Sequence, residues 1–426
     1  MSRIQPPKGT RDFYPDQMRR RRYLEDVWRR VSLRAGFEEV DGPIFESLDL
    51  YIQKSGPEIV AQLYNFLDKG GRPIAIRPEF TPTLARMVAA RQAALPRPVK
   101  WFNISRVCRY ERSQKGRLRE FFQWNCDILG APGVTADAEC LAVAVDALRQ
   151  FGLTSQEVEI RLSSRKLLAG LLARLGLAAE VIPQVYAVLD KRGKVPANVL
   201  ETMLDDLKLS AGQRRGLDAI FTYATLDAIP PQVAADAAVA APLAELRELL
   251  ALVAACGAAE FVRFDISIVR GLAYYTGAVW EVFDKRGELR SLFGGGRYDN
   301  LIAATGGQPM PACGFGAGDV TMSLLLDSLN RWPAAGSRVD YAVLYADETF
   351  IRQAAGVTQR LRSAGKSAQY AINPAVLKRQ LKGAADSGSP WAVIVGAEGC
   401  PAACVRLRNM QSGAERDLPL DDLLKG

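Results

Sequence analysis

Leu24, Val27, Trp28 and Val31 fall at i, i+3, i+4 and i+7, which predicts an amphipathic helix over residues 16–35 with a basic outer face and Gly36 as its stop. Residues 39–50, which carry Pro43, and residues 73–78 read as short extended segments. A strand is predicted over 101–110, a charged loop runs to residue 119, and a returning strand follows over 121–129. Two strands joined in this way form a β-hairpin and point to an antiparallel sheet. From about 164 to 259 the chain turns to Ala and Leu at helical spacing, interrupted at Gly193, Pro196, Pro230 and Pro231, which predicts an inserted helical subdomain. Strand-like segments resume at 261–268 and 278–283, followed by a Gly-rich turn at Gly294, Gly295 and Gly296. Residues 327–337, with Pro333 and Gly336, read as a linker. Beyond it strand 341–345, helix 350–364, helix 374–385 and strand 391–395 alternate, which suggests a separate small α/β domain with a mostly parallel sheet.

Composition narrows the class. A chain of 426 residues that is 48% hydrophobic and 24% charged is an ordinary globular protein of two or three domains, neither fibrous nor disordered. Its longest apolar run, residues 249–259, falls far short of the ~20 needed to span a bilayer. The opening Met-Ser-Arg-Ile-Gln-Pro-Pro-Lys lacks the apolar stretch of a signal peptide. Seven scattered cysteines fit reduced thiols, so the expectation is a cytoplasmic protein with no membrane role. Cys400 and Cys404 have no partner pair nearby, and no metal site is expected. The chain contains no histidine, which removes Ser-His-Asp hydrolysis, His-ligated zinc and any histidine general base. Lys and Arg number 55 against 47 Asp and Glu, a net charge of +8 that hints weakly at a polyanionic partner.

The hairpin loop holds the densest chemistry. Arg106, Arg109, Arg112, Lys115, Arg117 and Arg119 put six cations in fourteen residues, with only Glu111 opposing them. A charge run alone reads as a solvated loop, but Arg109 and Glu111 share one strand face, and the planar guanidinium suits bidentate contact with phosphate. In Arg77-Pro78-Glu79-Phe80-Thr81 a carboxylate and a hydroxyl at i and i+2 share a strand face. They could accept from a substrate ammonium, or be a surface glutamate and a turn threonine; spacing alone does not choose. Arg270-Gly271-Leu272-Ala273-Tyr274-Tyr275 follows a hydrophobic strand, and two glycine clusters follow, Gly294-Gly295-Gly296-Arg297-Tyr298 and Gly314-Phe315-Gly316-Ala317-Gly318. The second precedes a helix but lacks the last glycine of a dinucleotide fingerprint.

Taken in order, these clusters resemble the histidyl-tRNA synthetases, class II aminoacyl-tRNA synthetases, over essentially the whole chain. Lys8-Gly9-Thr10-Arg11-Asp12 is similar to that family's N-terminal signature, and residues 36–43 to motif 1, whose Pro43 would sit at a dimer interface. Arg109-Tyr110-Glu111-Arg112 through Gln123 resembles motif 2, and residues 268–272 with Tyr274-Tyr275-Thr276-Gly277 the peptide specific to histidine enzymes. Residues 377–381 and 391–396 resemble the anticodon-binding domain. The resemblance implies an α+β fold: a class II catalytic domain over 1–326, its antiparallel sheet flanked by helices and a helical insertion at about 164–259, then a linker over 327–338 and an anticodon-binding α/β domain over 339–426. It also implies the residue roles. Arg109 and Arg270 would flank the ATP α-phosphate as the catalytic pair, Arg270 in place of the metal ion other class II enzymes use there. Glu111 would contact the adenine end, and Glu79 and Thr81 the histidine ammonium. Arg117 and Gln123 would lie at the carboxylate and adenylate, while Asp127, Tyr274, Tyr275 and Tyr298 would line the imidazole pocket. ATP with Mg²⁺, histidine and tRNA(His) are the implied substrates and partner, and the protein would be a homodimer.

Two positions depart from the family pattern. Ala273 stands where an Asp usually precedes the tyrosines, and Thr321 where motif 3 ends in an arginine that grips the ATP γ-phosphate. Arg112 is the cation the loop offers in compensation. The rival reading is a non-catalytic, synthetase-like regulatory subunit of histidine biosynthesis, whose members usually lack the anticodon domain; a nucleic-acid-binding module without enzyme activity would leave Glu79, Asp127 and Arg270 unexplained.

Overall fold

The computed structural model describes residues 4–425 except 56, 179, 190, 192–194, 270–273, 335, 337–338 and 402. The chain divides into two compact units, Met1–Trp332 and Pro333–Gly426. In chain order the first contains β1 (Glu38–Glu39), β2 (Phe45–Ser47), β3 (Asn65–Leu67), β4 (Pro73–Ile76), β5 (Val99–Cys108), β6 (Glu120–Leu129), β7 (Val158–Ser164), β8 (Val262–Phe264), β9 (Ala278–Asp284), β10 (Phe293–Arg297) and β11 (Ala312–Gly318). The second contains β12 (Tyr341–Tyr345), β13 (Ala368–Tyr370), β14 (Trp391–Val395), β15 (Cys404–Asn409) and β16 (Glu415–Pro419).

The first helix, Pro15–Arg34, starts with a proline in its first turn, where a missing N–H costs nothing, and keeps Asp16 at its N-terminal and Arg34 at its C-terminal end. It stops because Gly36 takes φ +76°, which lets the Phe37 N–H reach back to the Ser32 carbonyl at 3.0 Å. Its apolar stripe of Leu24, Val27, Trp28 and Val31 is buried. Trp28 stacks on Trp124 of β6 at 5.8 Å, and Trp124 meets Phe315 of β11 edge-on at 4.8 Å. Helix Thr135–Gln150 joins the same core.

The main sheet runs β1-β5-β6-β11-β10-β9-β7-β8. It is antiparallel from β5 to β7, and parallel only at its ends, where β1 joins β5 and β8 joins β7. The predicted hairpin is present, in register from Val99↔Leu129 to Cys108↔Glu120. A separate three-stranded sheet runs β2-β4-β3. Between Arg165 and Phe261 the described residues form helices and no strand, with Ser210 and Gln213 in a capping box on helix Ala211–Ile220. Among the described residues no helix is long and apolar enough to cross a membrane.

Several expectations need correction. Gly294–Gly296 are not a turn but the middle of β10, a central strand. The segment after Pro43 is extended only over β2 and then becomes helix Leu48–Ser55. In the second unit the sheet order is β13-β12-β14-β15-β16; β12 is parallel to both neighbours, but β14-β15-β16 is antiparallel, so the sheet is mixed rather than mostly parallel. Alternate β12 residues feed its two faces: Val343 and Tyr345 pack with helix Ile351–Ser363, Ala342 and Leu344 with helix Leu377–Asp386. Buried Gln380 makes both bonds to the Tyr345 peptide, accepting its N–H at 3.1 Å and donating to its carbonyl at 2.9 Å.

Candidate active site

A cavity of about 520 Å³ opens over the centre of the main sheet in the first unit. Strand alternation builds its floor. On β6 the apolar residues Trp124, Cys126 and Ile128 face the core, so Gln123, Asn125 and Asp127 face the other way, into the cavity. Opposite them in register stand Gly318, Gly316 and Gly314 of β11, with Gly294 and Gly296 of β10 beyond. The two glycine clusters are therefore a bare floor across which polar side chains lie. A Cβ at Gly314 would sit 2.6 Å from the Cys126 carbonyl oxygen and closer still to Asp127 Oδ1; one at Gly296 would sit 2.9 Å from the Tyr275 ring. Gly314→Ala should therefore cost about 1–3 kcal/mol, as overpacking does, and displace Asp127. Denaturant titration against Gly336→Ala, a position with open space around it, checks this.

At one end the Tyr298 hydroxyl donates to Asp127 Oδ1. Burial, and then the Asp127 charge, push this phenol well above its ordinary range, so it keeps its proton and fixes the carboxylate. Tyr274 lies 4.7 Å from Tyr275 and edge-on to Tyr298 at 5.9 Å, closing an aromatic pocket around that carboxylate. Gln123 lines the cavity, and its Oε1 is buried with no hydrogen-bond partner among the described residues. Glu79 and Thr81 line the same cavity but do not share a strand face: β4 ends at Ile76, and Thr81 opens helix Thr81–Arg91. Arg77 beside them is buried and structural, bonded to Asp41 at 2.8 Å and to the Arg106 carbonyl at 3.0 Å.

At the other end lie the cations. Arg109 Nε donates to the Pro78 carbonyl at 3.0 Å, with its guanidinium 5.3 Å from the Phe121 ring. Arg117 pairs with Glu111, and Arg119 Nε donates to the Glu111 carbonyl at 3.0 Å. Gly116, at φ +76°, makes the tight turn that closes the loop. The opening segment of the chain braces this loop: the Arg119 N–H donates to the Gly9 carbonyl at 2.9 Å, and Arg11 pairs with Asp319 at 2.7 Å. Arg112 is exposed and is not among the residues that line the cavity. Arg106, also exposed, faces Glu120 at 3.3 Å.

Of the expected site residues, Glu79, Thr81, Arg109, Glu111, Arg117, Gln123, Asp127, Tyr274, Tyr275 and Tyr298 all line this cavity. Arg270 and Ala273 lie outside the described residues. Sequence reasoning missed Asn125, Glu281 and Arg290, which line it too. Asn125 was signalled by its place midway between Gln123 and Asp127, and Glu281 by being the one acid within the apolar strand Ala278–Phe283; Arg290 carries no local signal.

Residues 9–319 match the family described as histidyl-tRNA synthetase, and residues 340–426 the anticodon binding domain. The chain is 41% identical to a histidine–tRNA ligase of Opitutus terrae, covering 99% of this chain and 98% of that one. It is 38% identical to the chloroplastic/mitochondrial histidine–tRNA ligase of Arabidopsis thaliana, covering 99% and 86%. The crystal structure of histidyl-tRNA synthetase from Nostoc sp. PCC 7120 superposes with a TM-score of 0.83 at 23% identity, covering 100% of this chain and 99% of that one, a likeness of fold. On this family match and these full-length relatives, the chain belongs to the histidyl-tRNA synthetase family.

Proposed function

We propose that the chain is a histidine–tRNA ligase that works in this one cavity in two steps. In the first, a histidine carboxylate oxygen attacks the α-phosphorus of ATP, a P–O bond forms, and the bond to pyrophosphate breaks. In the second, the terminal hydroxyl of tRNA attacks the acyl carbon, AMP leaves, and the adenylate phosphate takes the hydroxyl proton, since the chain has no histidine to do so. The first step brings two anions together, so it needs preorganised positive charge rather than a protein base. Arg109 would supply this at the α-phosphate, with Arg270 as its partner, while Arg117 would hold the substrate carboxylate and Glu111 the adenine end. Mg²⁺ enters with ATP as part of the substrate. Glu79, Thr81 and Gln123 would hold the amino acid, and Asp127 would accept from an imidazole N–H, framed by Tyr274, Tyr275 and Tyr298.

The single observation that carries this reading is the fixed Asp127 carboxylate in an aromatic pocket at one end of a cavity whose other end is arginine-rich. An imidazole fits such an acceptor, and an adenylate bridges it to the cations. The C-terminal unit would read the tRNA anticodon. The family pattern implies a cytoplasmic homodimer, and the small sheet supports a pairing surface: Phe45 and Phe66 share one of its faces and are 54% and 49% exposed. Asp127→Asn tests the pocket. A charge-assisted bond is worth about 1.5–3 kcal/mol, so kcat/KM for histidine should fall about 10- to 150-fold, with KM for ATP little changed. Equal losses for both substrates would deny Asp127 its imidazole role.

A further inference from the structure

We infer that Arg290 is the cation that meets the terminal phosphates of ATP in this chain, and that Thr321 serves to hold it there. The inference rests on the ligase reading above and deepens it at the one position where the family pattern fails.

Thr321 is not waiting for a nucleotide. It is buried, and its hydroxyl donates to the Leu292 carbonyl at 2.8 Å. That bond ties helix Asp319–Ser328 to the segment leading into β10, two residues beyond Arg290. A Cβ built on Gly116, at the turn of the basic loop, would lie 3.5 Å from both Arg290 Cδ and Thr321 Cγ2. The loop turn, the Arg290 stem and Thr321 thus meet at one point on the cavity wall. An arginine at 321 is replaced by one that reaches the same place from a neighbouring segment.

The register fixes which part of ATP would be met. Gly296 stands opposite Gly314, and Gly314 opposite Asp127, so that end of β10 and β11 belongs to the imidazole pocket. Arg290 precedes Phe293 at the opposite end, and Phe293 stands opposite Ala317, three residues along β11 from Gly314 and so about 10 Å away at 3.3 Å per residue. With the reacting α-phosphate near Arg109, the pyrophosphate moiety extends toward Arg290. Arg290 stays open to solvent at the cavity mouth, yet surrounding atoms desolvate its guanidinium and, behind that, Arg117 and Arg109 press its pKa below the ordinary arginine value, partly offset by Glu111 and Glu281. Among the described residues no carboxylate lies within ion-pairing distance of it. A third cation crowded onto two others, with Glu111 and Glu281 acting on it only from beyond ion-pairing distance, is a site for a polyanion.

The test uses the full chain and compares unsubstituted protein with Arg290→Ala and Arg290→Lys. Arg290→Ala should raise KM for ATP in pyrophosphate exchange at least about 10-fold, the low end for a charge-assisted bond because solvent screens the site. KM for histidine should move less than about 3-fold, and Arg290→Lys should recover part of the loss. A sulfamoyl analogue of histidyl-adenylate, which carries no β- or γ-phosphate, should bind both chains equally. An unchanged KM for ATP, or weaker binding of the analogue in step with ATP, overturns the assignment. Failure of the ligase reading looks different, as absent exchange in the unsubstituted chain; direct titration of Mg·ATP into it and into Arg290→Ala then decides the Arg290 contact by the same 10-fold criterion.

Discussion

Arg109→Ala should lower histidine-dependent pyrophosphate exchange by about 10²–10³-fold, the usual loss when one preorganised donor to a transition state is removed. The magnitude follows from the chemistry: a carboxylate attacking a phosphate accumulates negative charge at the α-phosphorus, and a guanidinium already in place gives most when that charge is greatest. Arg109 is held in place before substrate arrives, by its bond to the Pro78 carbonyl and its seat over Phe121. Substrate affinities should change by far less than the rate. Steady-state exchange combined with equilibrium binding separates the two, and equal losses in rate and affinity would reduce Arg109 to a binding residue.

Arg297→Met should destabilise the first unit by about 3–5 kcal/mol, because it leaves a buried carboxylate unpaired. Arg297 follows the three glycines of β10 and is 2% exposed. It pairs with buried Asp137, donates to the Gly133 carbonyl at 2.7 Å and to the Ala131 carbonyl at 3.2 Å, and reaches Asp299 at 3.1 Å. One guanidinium therefore ties β10 to the start of helix Thr135–Gln150 and the turn before it. Tryptophan fluorescence in a urea titration reads mainly the first unit, which holds five of the six tryptophans. Adding Asp137→Leu to the variant should recover part of the loss, since the stranded charge goes with it. A cost below about 1 kcal/mol would contradict the account of this pair as a structural staple.

These two arginines show what the sequence discloses and what it hides. Arg109 sits in a hairpin whose strands alternate apolar and polar positions, and its loop chemistry was legible because neighbours in sequence stay neighbours in space. Arg297 stands one residue from Tyr298 and reads as the same cluster, yet the strand turns it to the opposite face, and only the distant Asp137 reveals its role. The glycine runs misled for a related reason: glycine usually marks a turn, but in β10 and β11 it clears a central sheet for Gln123, Asp127 and Tyr275. Helix Thr135–Gln150 is harder to see because most of it is buried, from Ala136 to Leu148, and only a narrow stripe of Glu139, Ala142 and Asp146 is part-exposed. Strand Val158–Ser164 was legible, with Val158, Ile160 and Leu162 alternating against Glu159 and Arg161, and went unread. Arg290 could not be found locally, because its meaning depends on Thr321, which the chain brings beside it from thirty-one positions away.

The central claim, that this cavity joins histidine to ATP, is tested most directly by ATP–pyrophosphate exchange with the full chain and each amino acid in turn. The account predicts exchange that depends on histidine, persists without tRNA, and survives the Thr321 departure at ordinary ATP concentrations. A chain that binds histidine yet shows no exchange at millimolar ATP would contradict it, and the non-catalytic regulatory reading would take its place.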